Sequence, residues 1–563
     1  MSLAPRLDRG IPAETVRVAQ ASFPKGNIYL TLRDQLGTIY RDADFRELFS
    51  WKGEEAYPPG RLALVTVMQF MEGLSDRQAA DAVRARIDWK YVLGLKLDDQ
   101  GFDASLLSRF RRRLLEGSAE SLLLERILHV AQAHKLLKQR GKMRTDATHV
   151  LTAVRDLNRL ELVGESLRYA LNTVARVAPN WLLAHIQPDW FERYRVRIEQ
   201  ARFPKEKSQR HALRLRIGAD GYHLLSALHL SALHQEEGMR HLWRHPAIQS
   251  LRQIWVQNYY RQDGAVHWRE AGNLPPGEHF IQSPYDPEAR YSEKRQTQWK
   301  GYKVHVTETC DPDRPRLITH VETTPASVSD KGMLSVIHQA LADKALLPDE
   351  HFADGGYAGV KELVDSQEKH QIQLVAPLPP DTSWQSREET GLGVSLFTID
   401  WEAQQVTCPQ GRTSRTWSPG VDKAGHESIT VRFAKQDCLA CPLRSRCTRS
   451  PNAPRGLTLQ PQPYHRALQE ARAYQKTDAF KQRYKQRAGV EGAISAAVRG
   501  QGLRHTRYIG QAKTHLQHLA IAAARNLIHL ARWLQQEERH EHPPHRRIPT
   551  RISPFAALQP NLA

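Results

Sequence analysis

The sequence has no apolar segment long enough to cross a membrane, and it has very few cysteines. No stretch of the 563 residues approaches the run of about 18 apolar residues that a membrane helix requires. The opening segment, MSLAPRLDRGIPAET, lacks the apolar centre of a signal peptide. Five cysteines are too few for a disulfide framework in a chain of this length. We therefore expect a cytoplasmic protein rather than a membrane-bound or secreted one.

Acidic residues are also scarce relative to basic ones. The chain has 80 Lys and Arg against 61 Asp and Glu, which gives a formal net charge of +19 and a pI near 9.7. Such an excess favours a polyanionic partner, most simply nucleic acid, and the alternative is a merely basic protein. Apolar residues make up 40% and charged residues 25% of the chain. This balance indicates a mostly globular protein, with about two to four domains for its length.

Apolar residues recur at helical spacing from the N-terminus to about residue 140. The segment RLALVTVMQFMEGLSDRQAADAVRARID predicts two helices, with a break at Gly73 and with Ser75 as the N-cap of the second. The segment FDASLLSRFRRRLLEG predicts another helix, which carries Arg109 and Arg112 in its first turns. These arginines belong either to an ordinary solvated helix face or to a surface that contacts DNA phosphates.

Strand signals begin at GKMRTDATHVL (141–151), which carries Asp146, and return at 300–309 and 316–324. A helix (329–347) with Ser329 or Asp330 as its cap, a strand that ends at Asp354, a second helix and a last strand follow. This order predicts an α/β fold with a mixed sheet and a crossover helix. The expected segments are a helical N-terminal domain (1–140), a first core strand (141–154), a helical insertion (155–280), the continued core (281–379), a small β-rich insertion with cysteines (380–463), C-terminal core helices (464–536) and a basic disordered tail (537–563).

Three carboxylates stand at positions that the predicted fold can bring together. Asp146 lies on the first core strand, Asp354 ends a later strand before a glycine turn, and Glu491 lies on a following helix. Carboxylates so placed can bind two divalent metal ions, which activate a nucleophile on a phosphodiester. The alternatives are a turn aspartate at 354 and an ordinary surface ion pair of Glu491 with Arg487. Tyr484, Arg487 and Glu491 share one helix face by their spacing.

Four of the five cysteines cluster in the predicted β-rich insertion. Cys408 lies in TCPQG, and Cys438, Cys441 and Cys447 lie in CLACPLRSRC. Four thiolates can hold a structural zinc ion, and reduced free thiols or an iron–sulfur cluster are the alternatives. Cys310 stands apart, and we expect it to be an ordinary strand-end residue.

The string YKQRAGVE resembles the signature of the IS4-related DDE transposases, a tyrosine, an arginine and a glutamate followed by a lysine. Tyr484, Arg487 and Glu491 match it, whereas the lysine position falls on Val498. The role of that lysine is expected to pass to Arg499 or Arg504. More widely, the chain resembles the IS1182 group of bacterial insertion-sequence transposases in five blocks, in order, between about residues 50 and 535. The blocks are FDASLLSRFRRRL, KMRTDATHV, SPYDPEARYSEKRQTQWKGYKVHVTET, FADGGYAG and CLACPLRSRCT.

The resemblance implies an RNase H-like catalytic core in which Asp146, Asp354 and Glu491 form a DDE triad with two Mg²⁺ or Mn²⁺ ions. Such enzymes cut double-stranded DNA at the ends of the element and join a terminal 3′-OH to target DNA. It also implies DNA contacts from Tyr484 and Arg487, an N-terminal domain for DNA-end binding or subunit pairing, a homodimer on DNA, and action at the bacterial nucleoid. The rivals are a nuclease that cuts without joining, a non-catalytic DNA-binding protein and a zinc-ribbon regulator with an inert core.

Overall fold

The computed structural model describes residues 2–3, 10–200, 203–234, 236, 238–422 and 425–541, without the side chains of 199 and 537–541. The protein is mixed α/β with a helical N-terminal region, as the sequence predicts. The described residues form two compact units. The first contains those up to Leu137, Pro315–Leu317 and those from Ala523 onward; the second contains Lys138–Arg314 and Ile318–Ala522. No helix in the described part of the chain is long and apolar enough to span a membrane.

The described residues in the N-terminal part of the first unit form seven α-helices. They are α1 (Ala13–Ser22), α2 (Ile28–Leu36), α3 (Pro59–Glu72), α4 (Asp76–Ala85), α5 (Ile87–Val92), α6 (Ser105–Glu116) and α7 (Leu122–Ala133). The predicted break is present, because Gly73 has φ +71° and ends α3. The predicted cap is also present, since Ser75 and Gln78 form a reciprocal capping box at the start of α4.

The remaining α-helices begin after the first strand of the second unit. They are α8 (Arg159–Val177), α9 (Pro179–His185), α10 (Asp189–Tyr194), α11 (Lys207–Leu233), α12 (Met239–Arg244), α13 (Pro246–Asn258), α14 (Met333–Asp343), α15 (Val360–His370), α16 (Trp384–Arg387), α17 (Lys435–Leu439), α18 (Arg444–Cys447), α19 (Gln462–Gln475), α20 (Asp478–Tyr484), α21 (Gly489–Gln501) and α22 (Gln511–Glu541). Helix α22 continues past residue 536, where the tail is predicted to begin, because the sequence has no helix breaker before Pro543. The rest of the predicted tail, 542–563, lies outside the described residues.

Thirteen strands occur among the described residues. They are β1 (Lys142–Leu151), β2 (Tyr259–Gln262), β3 (Ala265–Trp268), β4 (Arg290–Lys294), β5 (Thr297–Thr309), β6 (Ile318–Pro325), β7 (Glu350–Phe352), β8 (Gln373–Val375), β9 (Thr398–Asp400), β10 (Gln405–Thr407), β11 (Ser414–Val421), β12 (Glu427–Phe433) and β13 (Gly456–Leu459). The β2–β3 hairpin lies inside the segment predicted to be helical. Its turn is Asp263-Gly264, both with positive φ, which is a strong hairpin signal.

The main sheet is mixed, and β1 lies at its centre. The strand order is β4-β5-β1-β7-β8, with β6 also paired to β5. Strand β1 is antiparallel to β5 and parallel to β7, and β7 is parallel to β8. Helices α14 and α15 make the connections that parallel strands require. Because Arg144 of β1 pairs with Phe352 of the parallel strand β7, the residues two places further along, Asp146 and Asp354, lie at the same level of the sheet.

Candidate active site

Asp146 lies near the middle of β1, on the face of the strand that it shares with Arg144 and Thr148. One carboxylate oxygen, Oδ1, accepts a hydrogen bond from the backbone N–H of Ala147 at 2.8 Å. The other, Oδ2, lies 2.6 Å from Nη2 of Arg487. Burial raises the pKa of the Asp146 carboxyl, and the positive charge of Arg487 partly offsets that effect. The side chain is 13% exposed, so this carboxylate is sheltered but reachable.

Asp354 follows β7 and lies at the same level of the sheet as Asp146. The strand itself ends at Phe352, two residues earlier than the sequence predicts. Oδ1 of Asp354 accepts a hydrogen bond from the N–H of Gly356 at 2.9 Å, as a turn aspartate does. Oδ2 lies 3.8 Å from Nη2 of Arg487. The turn and the active-site interpretations of this aspartate are therefore compatible, because one oxygen forms the turn and the other faces Arg487.

Glu491 reaches the same place from a helix. It lies in the first turn of α21, and Arg487 precedes it in the short 3-10 helix Lys485–Ala488. Nη1 of Arg487 lies 2.5 Å from Oε1 of Glu491, which is the i,i+4 pair expected from the spacing. The Glu491 side chain is 61% exposed, so it is the most open of the three carboxylates.

The guanidinium of Arg487 lies between all three carboxylates. Its nitrogens contact Asp146, Asp354 and Glu491 at 2.6, 3.8 and 2.5 Å. Burial lowers the pKa of Arg487, but the carboxylates outweigh it and hold that pKa above its ordinary value. Among the residues that the structure describes, no group of three or more His, Cys, Asp or Glu side chains is arranged to hold a metal ion. The oxygens of the three carboxylates instead surround the guanidinium of Arg487.

A fourth carboxylate, Asp330, lies near Asp354, although the sequence predicts only a helix cap there. The cap of α14 is Gly332, and the Asp330 side chain instead pairs with Lys303 at 3.0 Å and Lys294 at 3.6 Å. A Cβ on Gly356 would lie 3.0 Å from Oδ1 of Asp354 and 3.7 Å from Oδ2 of Asp330. A glycine at 356 therefore leaves space between these two carboxylates. The only feature of the sequence that marks Lys303 is its place in the alternating strand segment KGYKVHVTET.

Tyr484 lies near Arg487 and the carboxylates, and its ring packs on the apolar side of the site. Its ring stacks on Phe480, with centroids 5.5 Å apart and planes 9° apart, and it packs with Phe352 and Val375. Burial raises the pKa of its phenol. The contacts place Tyr484 against the ends of β7 and β8, so it supports the strand that leads to Asp354.

The other predicted DNA-contacting arginines differ in their surroundings. Nε of Arg504 donates to Oγ1 of Thr148 at 2.8 Å, on the β1 face that carries Asp146, whereas Arg499 is exposed on α21. In the first unit, Arg109 is exposed on α6, and so is Arg112, which lies 3.8 Å from Glu116. Their neighbour Arg111 is buried, with Nη2 2.6 Å from Asp76. Only some of the arginines of this run are therefore accessible at the surface.

The four clustered cysteines lie around one cavity of about 400 Å³. Cys408, Cys438, Cys441 and Cys447 all line it. Sγ of Cys438 accepts a hydrogen bond from the N–H of Arg455 at 3.4 Å. Burial raises the pKa of the Cys447 thiol, and the nearness of the other three sulfurs raises it further. Cys310 lies elsewhere, and burial raises its pKa to about 12, which makes it an unreactive thiol.

Carboxylates that converge from two strands and a helix, in a strongly basic chain, are typical of enzymes that act on nucleic acid. Residues 17–113 match the family model described as Transposase domain (DUF772), and residues 407–531 match the one described as Transposase DDE domain. The second match contains Glu491 and the cysteine cluster. Together the matches support a DDE transposase and indicate an insertion-sequence protein that binds DNA. No curated protein and no solved structure matches the chain.

Proposed function

We propose that the protein is a transposase of the IS1182 group that cuts the ends of an insertion sequence and joins them to target DNA. Asp146, Asp354 and Glu491 are its catalytic carboxylates. The observation that carries the proposal is their convergence on one guanidinium from β1, the end of β7 and α21. The mixed sheet, with its central β1 between antiparallel β5 and parallel β7, supports an RNase H-like core.

The three carboxylates suit divalent metal ions. They offer only oxygen ligands, which Mg²⁺ and Mn²⁺ prefer, and they already surround a cation in Arg487. DDE transposases generally use such metals. Asp146, Asp354 and Glu491 would hold two of them, which when bound lower the pKa of a water molecule and neutralise charge on the phosphate.

The chemistry consists of two phosphoryl transfers that balance without any other reactant. In the cut, a water oxygen bonds to phosphorus, the P–O3′ bond breaks, and the leaving oxygen takes a proton to become the terminal 3′-OH. In the joining step, that 3′ oxygen gives up its proton and bonds to a target phosphorus, the target's own P–O3′ bond breaks, and the leaving 3′ oxygen takes up a proton. The protein's part is to position the DNA and to stabilise the charge that develops on the phosphate.

Basic residues around the carboxylates would bind the DNA backbone. We assign this role to Arg487, Arg499 and Arg504, with Tyr484 beside them, and to Arg109 and Arg112 in the N-terminal domain. The exposure of Arg109, Arg112 and Arg499 supports it, as does the net charge of +19. Pairing of two element ends at the nucleoid requires two copies of the chain, so we propose a homodimer on DNA.

We also propose the domain division expected from the sequence, in which 155–280 and 380–463 are insertions in the core. The strands of the main sheet lie outside both segments, which supports the division. The packing of α8 and α13 with the apolar residues around them gives the first insertion its own core. A second small core, with Val406, Val431 and Leu457, lies in the other.

We propose that the cysteines of the second insertion hold a structural zinc ion. All four line one cavity, and an N–H donor to a sulfur, as on Cys438, is the kind of contact that supports a metal-bound thiolate. Metal analysis of the purified protein should give about one zinc per chain. Cys438→Ser should release it, and Cys310→Ser, outside the cluster, should retain it. A zinc-free wild-type protein purified without chelator would contradict this assignment.

A strand-transfer assay tests the proposed reaction against that of a simple nuclease. The substrate is a labelled duplex that ends in a free 3′-OH at the element's end, with a supercoiled plasmid as target and Mg²⁺ or Mn²⁺ present. We expect a labelled covalent joint that is lost in Glu491→Gln. Cleavage of a longer duplex without any joint would favour a nuclease, and tight binding with neither product would favour a non-catalytic DNA-binding protein.

A further inference from the structure

Arg144 lies two residues before Asp146 on the same face of β1, and its side chain is almost completely buried. It is 4% exposed, and Glu308, its direct cross-strand partner on β5, is 1% exposed. Nε and Nη2 of Arg144 lie 2.7 and 2.6 Å from Oε1 of Glu308. A buried charge is strongly unfavourable without a partner, so each side chain requires the other.

The third nitrogen of this guanidinium, Nη1, contacts a segment outside the sheet. Nη1 of Arg144 donates to the backbone carbonyl of Gln486 at 2.7 Å, and Gln486 directly precedes Arg487. The bond therefore connects the strand that carries Asp146 with the segment that carries Arg487 and Glu491. A hydrogen bond from a charged donor contributes more to stability than one between neutral groups.

Gly489 provides the space in which this guanidinium lies. A Cβ built at 489 would be 1.8 Å from Nη1 and 2.3 Å from Cζ of Arg144, far inside any possible contact distance. Any side chain at 489 must therefore displace either Arg144 or the start of α21. The glycine in RAGVE is explained by this close approach and not by its backbone conformation, since it begins an ordinary helix.

We propose that Arg144, held by Glu308 and admitted by Gly489, is a positioning residue for the catalytic carboxylates. It fixes the segment 485–491 against β1, so that Arg487 and Glu491 reach Asp146 and Asp354. This role rests on the proposed function, because it matters for catalysis only if those carboxylates are catalytic. The alternative is that the Arg144–Glu308 pair merely braces two strands, but this does not account for the bond to Gln486 or for Gly489.

The test compares Gly489→Ala with Gly500→Ala on the same helix. The added methyl collides with Arg144 in the first variant and meets nothing within 4 Å in the second. Alanine has a higher helix propensity than glycine, so both variants should fold. We expect Gly489→Ala to lower kcat for metal-dependent DNA cleavage about 100-fold, as a misplacement of about 1 Å can, with KM for DNA little changed. Gly500→Ala should cut at the wild-type rate.

A second readout does not depend on activity. Backbone amides of 485–491 should exchange hydrogen faster in Gly489→Ala than in Gly500→Ala, while those of α14 remain unchanged. Arg144→Lys should show the same local change, because an ammonium keeps the charge but not the fork of donors. Wild-type kcat together with unchanged exchange in Gly489→Ala would overturn the positioning role. Absence of cleavage by the wild type would count against the proposed function, and the exchange result would then decide the positioning role alone.

Discussion

Arg487 lies among the three carboxylates that we propose as metal ligands, at contact distances of 2.6, 3.8 and 2.5 Å. A guanidinium and divalent metal ions compete for the same oxygens, because both are attracted by the same negative charge. The sequence predicts Arg487 as a DNA contact. Both contacts are compatible if Arg487 moves from the carboxylates to a DNA phosphate when metal ions take its place. In protein without DNA, we therefore expect Arg487 to oppose metal binding.

Substitution of Arg487 by glutamine should strengthen metal binding in the absence of DNA. We expect the Kd for Mn²⁺, measured by electron paramagnetic resonance, to fall about tenfold, which corresponds to about 1.4 kcal/mol. Arg483→Gln is the matched control, since it removes the same charge but its side chain contacts Glu350 and Gln373 instead. Equal Mn²⁺ affinity in Arg487→Gln and wild type would show that the arginine does not compete with metal.

Single residues were predictable from sequence only where the partner is local. The pairing of Arg487 with Glu491 follows from their i,i+4 spacing, and the turn bond of Asp354 follows from the glycine two residues later. Contacts across the sheet, such as Arg487 with Asp146 or Arg144 with Glu308, depend on a register that the sequence does not encode locally. The prediction of Asp330 as a cap was wrong because α14 begins only at Met333, with Gly332 as its N-cap, and the Asp330 side chain pairs with two lysines of other elements instead.

At the scale of secondary-structure elements, strand signals in the sequence predicted most of the main sheet, and capping residues predicted helix starts such as that of α4. Strands β1, β5 and β6 lie where the sequence has strand signals, from Thr and Val without a helical pattern in β1 and from alternation in β5. The parallel pairing of β1 with β7, about 200 residues away in sequence, is fixed by packing and could not be predicted. The β2–β3 hairpin was missed because its strands are only four residues long, too short to interrupt a helical pattern.

A buried histidine pair connects α14 with β7 and makes this packing sensitive to acid. Nε2 of His338 lies 2.8 Å from Nδ1 of His351, and Nε2 of His351 lies 2.7 Å from Oγ1 of Thr145 on β1. Burial lowers the pKa of His338 to about 4, with His370 adding to the effect, and lowers that of His351 well below its usual value. Both side chains are therefore neutral in the folded protein at pH 7.

Since the folded-state pKa values are depressed, the unfolded chain binds more protons as pH falls. The contribution of the two buried neutral histidines to stability is fully present above about pH 6.5 and is lost as pH falls toward about 4. We expect the free energy of unfolding to fall by about 2 kcal/mol per such histidine between pH 7 and pH 5. Urea unfolding should show a smaller fall in His338→Gln than in wild type, whereas the exposed His426→Gln should match wild type. An identical fall in all three proteins would contradict this cause.

At the scale of the whole molecule, the net charge of +19 gives the chain a general attraction for DNA. If Arg109 and Arg112 contact phosphates, each Arg→Ala variant should flatten the plot of log K against log salt by about 0.9. Fluorescence anisotropy with a labelled duplex provides the measurement. Arg195→Ala, at an exposed arginine outside the proposed contacts, is the control. Slopes equal to that of wild type in both test variants would make the α6 arginines an ordinary solvated helix face.

The central claim is that Asp146, Asp354 and Glu491 perform metal-dependent cleavage of DNA. The most direct measurement is nicking of a labelled duplex that carries the end of the flanking element, in Mg²⁺ or Mn²⁺, by wild type, Asp354→Asn and Asp343→Asn. Asp343 is an exposed aspartate at the end of α14, so its variant controls for the loss of one negative charge. We predict metal-dependent nicking at the element's end by wild type and Asp343→Asn, and none by Asp354→Asn. Equal nicking by all three would mean that Asp354 only forms its turn, and it would contradict the account.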